Sequence, residues 1–316
     1  MKHYQQNLLL PKAKEAQDYI KLRQFNRKTL EDFKLGYSID RKEIIDFLKS
    51  KGFTLKEMMD AGVVQEKNGY QYDVYGGRLI FPICNSFGEC VGFSARVLGP
   101  SDFAKYINTA ETSVFRKGRV VYAIDLVKKL KQQGSLNEII IVEGQIDVIA
   151  MHKAGFNNTV ACMGTALTQE NAHELKKLSN NVVLMFDGDG AGQKATYRSL
   201  DILREEGFSV RVALMPDKLD PDEILKTYGK EKIVEIVENA LPPMDYIIEN
   251  ERKKFDLSDA SEKSLFVKQI LTYLTKLDSY SEEDIYLTKL RDLTSVPIDT
   301  LRRDLEKEKG GVKVQT

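Results

Sequence analysis

Hydrophobic residues change their spacing along this chain, and each change predicts a different kind of structure. The first residues, "MKHYQQNLLLPKAKEAQDYI", read as a solvated lead-in to a helix. Over residues 16–51 apolar positions recur at helical spacing, with Ile44, Ile45, Phe47 and Leu48 in the last stretch and glycine stops at Gly36 and Gly52. From 76 to 99, "GGRLIFPICNSFGECVGFSARVLG", they cluster in short β-like runs broken by Asn-Ser-Phe-Gly, the pattern of a hairpin. "KYINTAETSVFRKGRVVYAID" then reads mostly as loop, with a helix over about 125–131.

The middle third alternates. "EIIIVEG", "NTVACMG", "NVVLMFD" and "SVRVALM" are continuous apolar runs of strand length, and "QIDVIAMHKAG", "TQENAHELKKLS" and "GQKATYRSLDILREEG" between them are helical. Continuous runs suit strands buried on both faces, and a helix between consecutive strands makes each crossover parallel. After Pro242 and Pro243 the chain reads as helical and charge-rich, and the closing "EKEKGGVKVQT" as a frayed tail or cut point. The expected fold class is α/β: a mixed α+β subdomain over 1–137, a parallel-sheet subdomain over 138–240 and a helical subdomain over 241–316. A chain of 316 residues has room for two or three such units.

Charge sharpens this division. The formal net charge of zero hides 23 basic against 15 acidic side chains over 1–137, a balance of +8, and 11 against 17 over 138–240, a balance of −6; the remainder carries 13 against 15, or −2. A basic front part beside an acidic middle fits a polyanion gripped by one and metal cations held by the other. Cys84, Cys90 and Cys162 show no C-x-x-C spacing, and His3, His152 and His173 are scattered, so a zinc site, a disulfide framework and a histidine triad are not indicated. No apolar run is long enough to span a bilayer and no signal segment opens the chain, so a cytoplasmic setting without membrane contact is expected.

The acids carry the chemistry. "LMFDGDGAGQKA" places Asp187 and Asp189 directly after an apolar run, among Gly188, Gly190 and Gly192. An EF-hand is excluded, because its fifth and twelfth positions would be Ala191 and Arg198, and the dinucleotide fingerprint G-x-G-x-x-G fails at Gln193. A magnesium site on a strand end survives, since a hard cation is held by one or two carboxylates plus water and phosphate. "VEGQID" adds Glu143 and Asp147, and "LDPDEIL" adds Asp220 and Asp222, although Asp222 also suits a helix cap. Each group alone reads as a cap or solvated turn. Functional groups of an open parallel sheet collect beyond the carboxyl ends of its strands, and all of these acids fall there. Together they suggest two-metal phosphoryl chemistry.

In that order and at those spacings, "VEGQIDVIA", "GTALT", "LMFDGDGAGQKA" and "DKLDPDEIL" resemble the Toprim domain of bacterial primases, type IA and II topoisomerases and some nucleases. Upstream, "RLIFPICNSFGECVGFSARVLG" and "KYINTAETSVFRKGRVVYAID" resemble motifs that only the DnaG-type bacterial primases place before Toprim. The resemblance covers roughly 16–250 and implies the RNA polymerase core of such a primase. It implies Glu143 as catalytic glutamate, Asp187 and Asp189 as catalytic, metal-binding aspartates, and Asp147, Asp220 and Asp222 as supporting acids around the metals. Arg96, Lys105, Tyr106 and Asn108, with Arg23 and Lys117, correspond to its basic groove for nucleotide or template. Where the family usually has an aromatic residue after "EG", this chain has Gln145.

The implied reaction is synthesis of short RNA primers from ribonucleoside triphosphates on single-stranded DNA, with two or more Mg2+ ions, Mn2+ as a substitute, no zinc ligands, and ppGpp as a further ligand. Tyr106 or Phe93 could stack on a base, although Phe93 in an alternating strand suits the core. The family's zinc module and helicase-docking module are expected to lie outside this chain, which reads as an excised core. A topoisomerase needs strand-gating machinery that does not fit in this length. The alternatives kept open are a Toprim nuclease and a non-catalytic module binding single-stranded DNA or a signalling nucleotide.

Overall fold

The computed structural model describes residues 1–163, 166–216 and 219–311. Gly164 and Thr165 of "GTALT" and Asp217 and Lys218 of "DKLDPDEIL" lie outside the described residues. The chain divides into two compact units, Met1–Ala240 and Leu241–Thr316.

The first unit opens with α1 (Lys2–Leu8), a 3-10 turn, α2 (Lys14–Leu22) and α3 (Arg27–Asp32), the last capped by the Asn26 side chain accepting from the Thr29 N–H. β1 (Gly36–Ser38) follows where a helix stop is expected at Gly36. A Cβ there would sit 2.6 Å from Tyr4 Cβ, so glycine is what lets α1 press against this strand. After α4 (Glu43–Ser50) and α5 (Leu55–Asp60), β2 (Val64–Lys67) and β3 (Tyr70–Asp73) form a hairpin whose turn residues, Asn68 and Gly69, both have positive φ. Asn-Gly is the sequence best suited to that turn.

β4 (Arg78–Cys84) and β5 (Cys90–Val97) make the expected hairpin around 85–88. β6 (Tyr106–Asn108), inside a segment expected to be loop, adds an edge strand, and the antiparallel order is β1-β4-β5-β6. Every residue of β4 is buried because both faces of this sheet are covered. Leu79, Phe81 and Ile83 point into one core cluster, while Ile80 joins Tyr4, Tyr75, Phe93 and Ala95 in another.

α6 (Ile124–Gln132) leads into the alternating segment: β7 (Ile139–Val142), α7 (Gln145–Lys153), β8 (Thr159–Ala161), α8 (Gln169–Lys176), β9 (Asn181–Leu184), α9 (Gly190–Glu205), β10 (Ser209–Val212), then α10 (Pro221–Tyr228) and α11 (Lys230–Glu238). The strands pair in parallel in the order β10-β9-β7-β8, as the buried runs between helices require. β7 is central and wholly buried. Ile140 and Val142 belong to the same core as Leu79 and Phe81, so the boundary expected at 137/138 falls inside one compact unit.

The second unit consists of α12 (Pro243–Arg252), α13 (Ala260–Leu274), α14 (Tyr280–Thr294) and α15 (Ile298–Gly311). Phe266, Ile270 and Leu274 of α13 are buried, as are Leu287 and Leu290 of α14 and Leu301 and Leu305 of α15. Asp259 and Ser279 cap α13 and α14, and Lys309 pairs with Glu283 at 2.7 and 2.9 Å. Among the described residues no helix is long and apolar enough to cross a membrane.

Candidate active site

Three ends of the parallel sheet deliver the acids. Glu143 follows β7 directly, Asp187 lies just past β9, and Asp220, beyond β10, is the N-cap of α10. The Asp187 N–H donates to Glu143 Oε1 at 3.0 Å, joining two strand ends. Asp189 caps α9: its Oδ1 accepts from the N–H groups of Ala191 at 2.9 Å and Gly192 at 2.8 Å. A Cβ on Gly192 would lie 2.1 Å from the Asp187 carbonyl oxygen and 2.7 Å from Glu143 Oε1. Glycine is therefore required for the first turn of α9 to rest on the pair. Asp147, in the first turn of α7, accepts from the Gly144 N–H at 3.2 Å and is buried.

Crowding sets the electrostatics. Burial, then the charges of Glu143, Asp220 and Asp189, push Asp187 up to about 7. Glu143 is raised by burial and then by Asp189 and Asp220, against the Asp187 N–H, which favours the charged form. Burial, followed by Asp220, Asp187 and Asp222, holds Asp147 well above the usual carboxylate range. Asp220 is raised by burial and by Glu223 and Asp222, against its own cap hydrogen bond. Among the described residues Asp187 Oδ1 is buried and has no hydrogen-bond partner. An all-oxygen set with an unsatisfied lone pair and mutual repulsion suits a hard divalent cation. Among the described residues no group of three or more His, Cys, Asp or Glu forms a ready-made metal cage.

Asp222 is placed differently from the other acids. It is buried, forms an ion pair with Arg23 at the end of α2, and pairs with Lys226 at 2.5 Å. Arg23 is thereby committed to a carboxylate, and its carbonyl accepts from Lys153 Nζ at 2.8 Å.

Three of the residues expected to line a basic groove, Arg96, Tyr106 and Asn108, share one face of the antiparallel sheet. Arg96 and Tyr106 are direct cross-strand partners, and Ser94 and Asn108 are the next pair on that face. The Arg96 guanidinium lies 4.9 Å from the Tyr19 ring centroid and 5.1 Å from that of Tyr106, and donates to the Tyr106 hydroxyl. Burial pushes Tyr106 up to about 12, with Asp147 among the lesser contributors, so this ring and the acid cluster feel each other. Among the described residues Arg96 Nε and Asn108 Oδ1 are both buried without a partner, a donor and an acceptor on that face. Lys105 is exposed beside them, and Lys117, half-buried, lies on the loop between β6 and α6. Phe93 is on the opposite face, buried 5.4 Å from Tyr4 and 5.8 Å from Tyr75, and is core.

The sequence marks Gln145 only as the residue standing where the family usually has an aromatic one. This buried side chain donates from Nε2 to Ser94 Oγ at 3.0 Å and ties the start of α7 to the strand carrying Arg96. Its signal was its place, immediately after "VEG".

Comparison with known proteins is consistent along the chain. Residues 3–128 match the family described as DNA primase catalytic core, N-terminal domain, residues 140–225 match Toprim-like, and residues 244–299 match DnaB-helicase binding domain of primase. The last match overturns the expectation that the helicase-docking module lies outside this chain; the three helices it spans, α12 to α14, carry no short motif that would betray it. A DNA primase of Clostridium acetobutylicum is 38% identical over 95% of this chain and 50% of its own length. The chain thus spans about half the length of the curated relatives it matches. A DNA primase domain from Pseudomonas aeruginosa is 30% identical with a TM-score of 0.79, covering 96% of this chain and 97% of that one. A DnaG primase catalytic domain bound to single-stranded DNA is 28% identical with a TM-score of 0.78, covering 95% of each. Fold, acid cluster and relatives agree, and the chain belongs to the bacterial DnaG-type DNA primase family.

Proposed function

We propose that this chain carries the RNA-synthesising core of a replicative primase, extending short RNA primers on single-stranded DNA in the bacterial cytoplasm. The observation that carries the reading is the crowded carboxylate cluster, with Asp187 Oδ1 unsatisfied, at the strand ends of a sheet whose core is continuous with the basic, Tyr-lined face. In the reaction, the 3′ oxygen of the primer attacks the α-phosphorus of the next ribonucleoside triphosphate, the bond to the β-phosphate oxygen breaks, and pyrophosphate leaves. Glu143, Asp187 and Asp189, backed by Asp147 and Asp220, would hold divalent cations, two Mg2+ or their Mn2+ equivalents. Bound there, such ions lower the pKa of the attacking hydroxyl and neutralise charge on the departing group. The protein itself positions and polarises. Glu143 is oriented by the Asp187 N–H, Asp189 fixes the first turn of α9, and Arg96, Lys105 and Asn108 face triphosphate and template. A guanosine polyphosphate such as ppGpp would compete for the same contacts. Asp222, paired to Arg23 and Lys226, buttresses the cluster. The helices of 244–299 would dock the replicative helicase, the reading that their family match supports.

The test is incorporation of labelled ribonucleotides on single-stranded DNA with Mg2+, comparing wild type with Glu143→Gln and Asp187→Asn. Template-dependent RNA lost by at least ~100-fold in both variants is the expected result. Wild-type protein that makes no RNA, yet binds DNA equally with and without these carboxylates, would leave a binding module only. Loss of RNA with degradation of the DNA would favour a nuclease.

A further inference from the structure

Outside the acid cluster, the β4–β5 hairpin carries a second group of reactive side chains. Cys84 ends β4 and Cys90 begins β5, with five residues between them in "CNSFGEC". That spacing fits no metal or redox motif, yet the hairpin sets the two residues directly opposite each other. Pairs along an antiparallel ladder alternate, and the next pair toward the loop is hydrogen-bonded, the Asn85 N–H donating to the Glu89 carbonyl at 2.9 Å. Cys84 and Cys90 are therefore a non-hydrogen-bonded pair, the kind whose side chains approach most closely, with Cα atoms ~4.5 Å apart. A disulfide needs roughly 4.4–6.8 Å between Cα atoms, so one can close here without moving the backbone.

Both residues are free thiols, and their contacts are weak ones. Cys90 Sγ donates to the Gly92 carbonyl at 3.5 Å, and Cys84 Sγ accepts from Lys34 Nζ at 3.2 Å, with Lys34 also paired to Asp125 at 3.0 Å. Cys90 is half-buried and Cys84 buried, so an oxidant meets Cys90 first. Burial pushes Cys90 up to about 11, with the charge of Cys84 among the lesser contributors, so the two sulfurs feel each other. Burial raises Cys84 as well, against the Lys34 ammonium, which favours its thiolate. A second cysteine within reach of the more exposed one, beside a cation, is the arrangement of a resolving thiol.

We propose that Cys84 and Cys90 form a reversible thiol-oxidation site, which closes by exchange with a small disulfide such as oxidised glutathione into a staple across the β4–β5 hairpin. The Cys90 thiolate attacks one sulfur of the small disulfide, the S–S bond breaks, and one thiolate leaves. Cys84 then gives up its proton, attacks Cys90 Sγ of the mixed disulfide and expels the second thiolate. Each leaving thiolate takes up a proton that a cysteine has released, so two protein thiols and one disulfide become one protein disulfide and two small thiols. Lys34 stabilises the Cys84 thiolate in the second step. The staple lies where the pairing slips between Ile83 and Cys84, and β5 runs on from it to Ser94 and Arg96. A covalent tie there pins the register at a bulge, where the ladder is locally disrupted. Neither thiol belongs to the acid cluster, and the site does not depend on the catalytic reading.

The test exposes the full native chain to oxidised glutathione, blocks the remaining thiols by alkylation, and weighs the protein and its tryptic peptide 79–96, which holds both cysteines. The expected result is loss of two hydrogens within that peptide, no retained glutathione, reversal by dithiothreitol, and no reaction at buried Cys162. Cys84→Ser should retain glutathione on Cys90, and Cys90→Ser should stay unmodified. Lys34→Met combined with Asp125→Asn, which removes both charges of that ion pair, should slow ring closure about tenfold while the mixed disulfide accumulates. Oxidation should raise the thermal midpoint by roughly 3–8 °C, the scale of a short closed loop in a domain of this size. Thiols that stay alkylatable in the native chain but close in urea would overturn the proposal. So would a reaction that stops at the glutathione adduct or links two chains, and so would a midpoint that falls on oxidation. Ring closure at the wild-type rate in the Lys34→Met/Asp125→Asn variant would remove Lys34 from the site.

Discussion

Single residues decide whether the acid cluster can form. Gly192 is the sharpest case, because a methyl group there collides with backbone, the Asp187 carbonyl, and with the one Glu143 oxygen that is fixed by a hydrogen bond. Gly190, two residues earlier in the same helix, has nothing among the described residues within 4 Å of its Cβ position. Gly192→Ala is therefore expected to push α9 off the Glu143–Asp187 pair and cost about 100-fold in primer synthesis, the scale of a 1 Å misplacement, with about 1–3 kcal/mol of stability. Gly190→Ala should be near neutral in both. Equal effects of the two substitutions on single-turnover rate and thermal midpoint would show that helix propensity, not close approach, is what these glycines supply. The sequence places two aspartates and three glycines within six residues; which glycine bears the contact depends on where Glu143 arrives from, and no local pattern states that.

At the scale of elements, the parallel sheet was legible because each strand is an apolar run between helices, and a run buried on both faces leaves little ambiguity. Its strand order was not, since β7 at the centre and β10 at the edge carry similar runs. β1 and β6, of three residues each, are too short to show a period, and they were read as helix stop and loop. The contact between α2 and α10 was equally hidden: Arg23 and Asp222 are 199 positions apart. Their pairing separates Asp222 from the acids that crowd Asp187. Asp222→Asn leaves a largely desolvated guanidinium facing an amide, and should destabilise by about 3 kcal/mol in a urea titration, the low end for a broken buried pair because Arg23 keeps 18% of its side chain exposed. Arg23→Met added to Asp222→Asn should recover part of that loss. Divalent-cation affinity, read by calorimetry, should fall far less in Asp222→Asn than in Asp187→Asn. If both lose affinity alike, Asp222 is a ligand and the buttress reading fails.

Across the whole molecule, buried titratable groups couple stability to pH and to divalent cations. Asp187 sits at about 7 against an ordinary 3.8, and Glu143, Asp147 and Asp220 are also raised, burial first in each case. A carboxyl raised in the folded state keeps a proton that the unfolded chain has released. Its penalty is full above the folded pKa, and stability is gained as pH falls from about 7 toward 4. Asp73, pushed up to about 7 by burial, has the same sign. His152 opposes them: burial lowers it from 6.5 to about 4, so between those values the unfolded chain binds a proton the folded chain refuses, and stability is lost as pH falls. One imidazole stands against several carboxyls, and at ~1.4 kcal/mol per pKa unit the balance favours mild acid by on the order of 2–4 kcal/mol without divalent cations. Cations bind the deprotonated cluster, so their stabilisation should be large near pH 8 and fade near pH 5.5, where protons compete. In EDTA the thermal midpoint should rise between those two pH values, and Mg2+ should close the gap from the alkaline side. Asp187→Asn should lose most of the cation effect and part of the acid gain, Asp73→Asn a similar part of the acid gain alone, and His152→Gln should steepen it. A midpoint that instead falls with acid in EDTA would mean that His152 dominates and that the protein's own donors already stabilise the carboxylates, which removes the electrostatic argument for cations between Glu143 and Asp187.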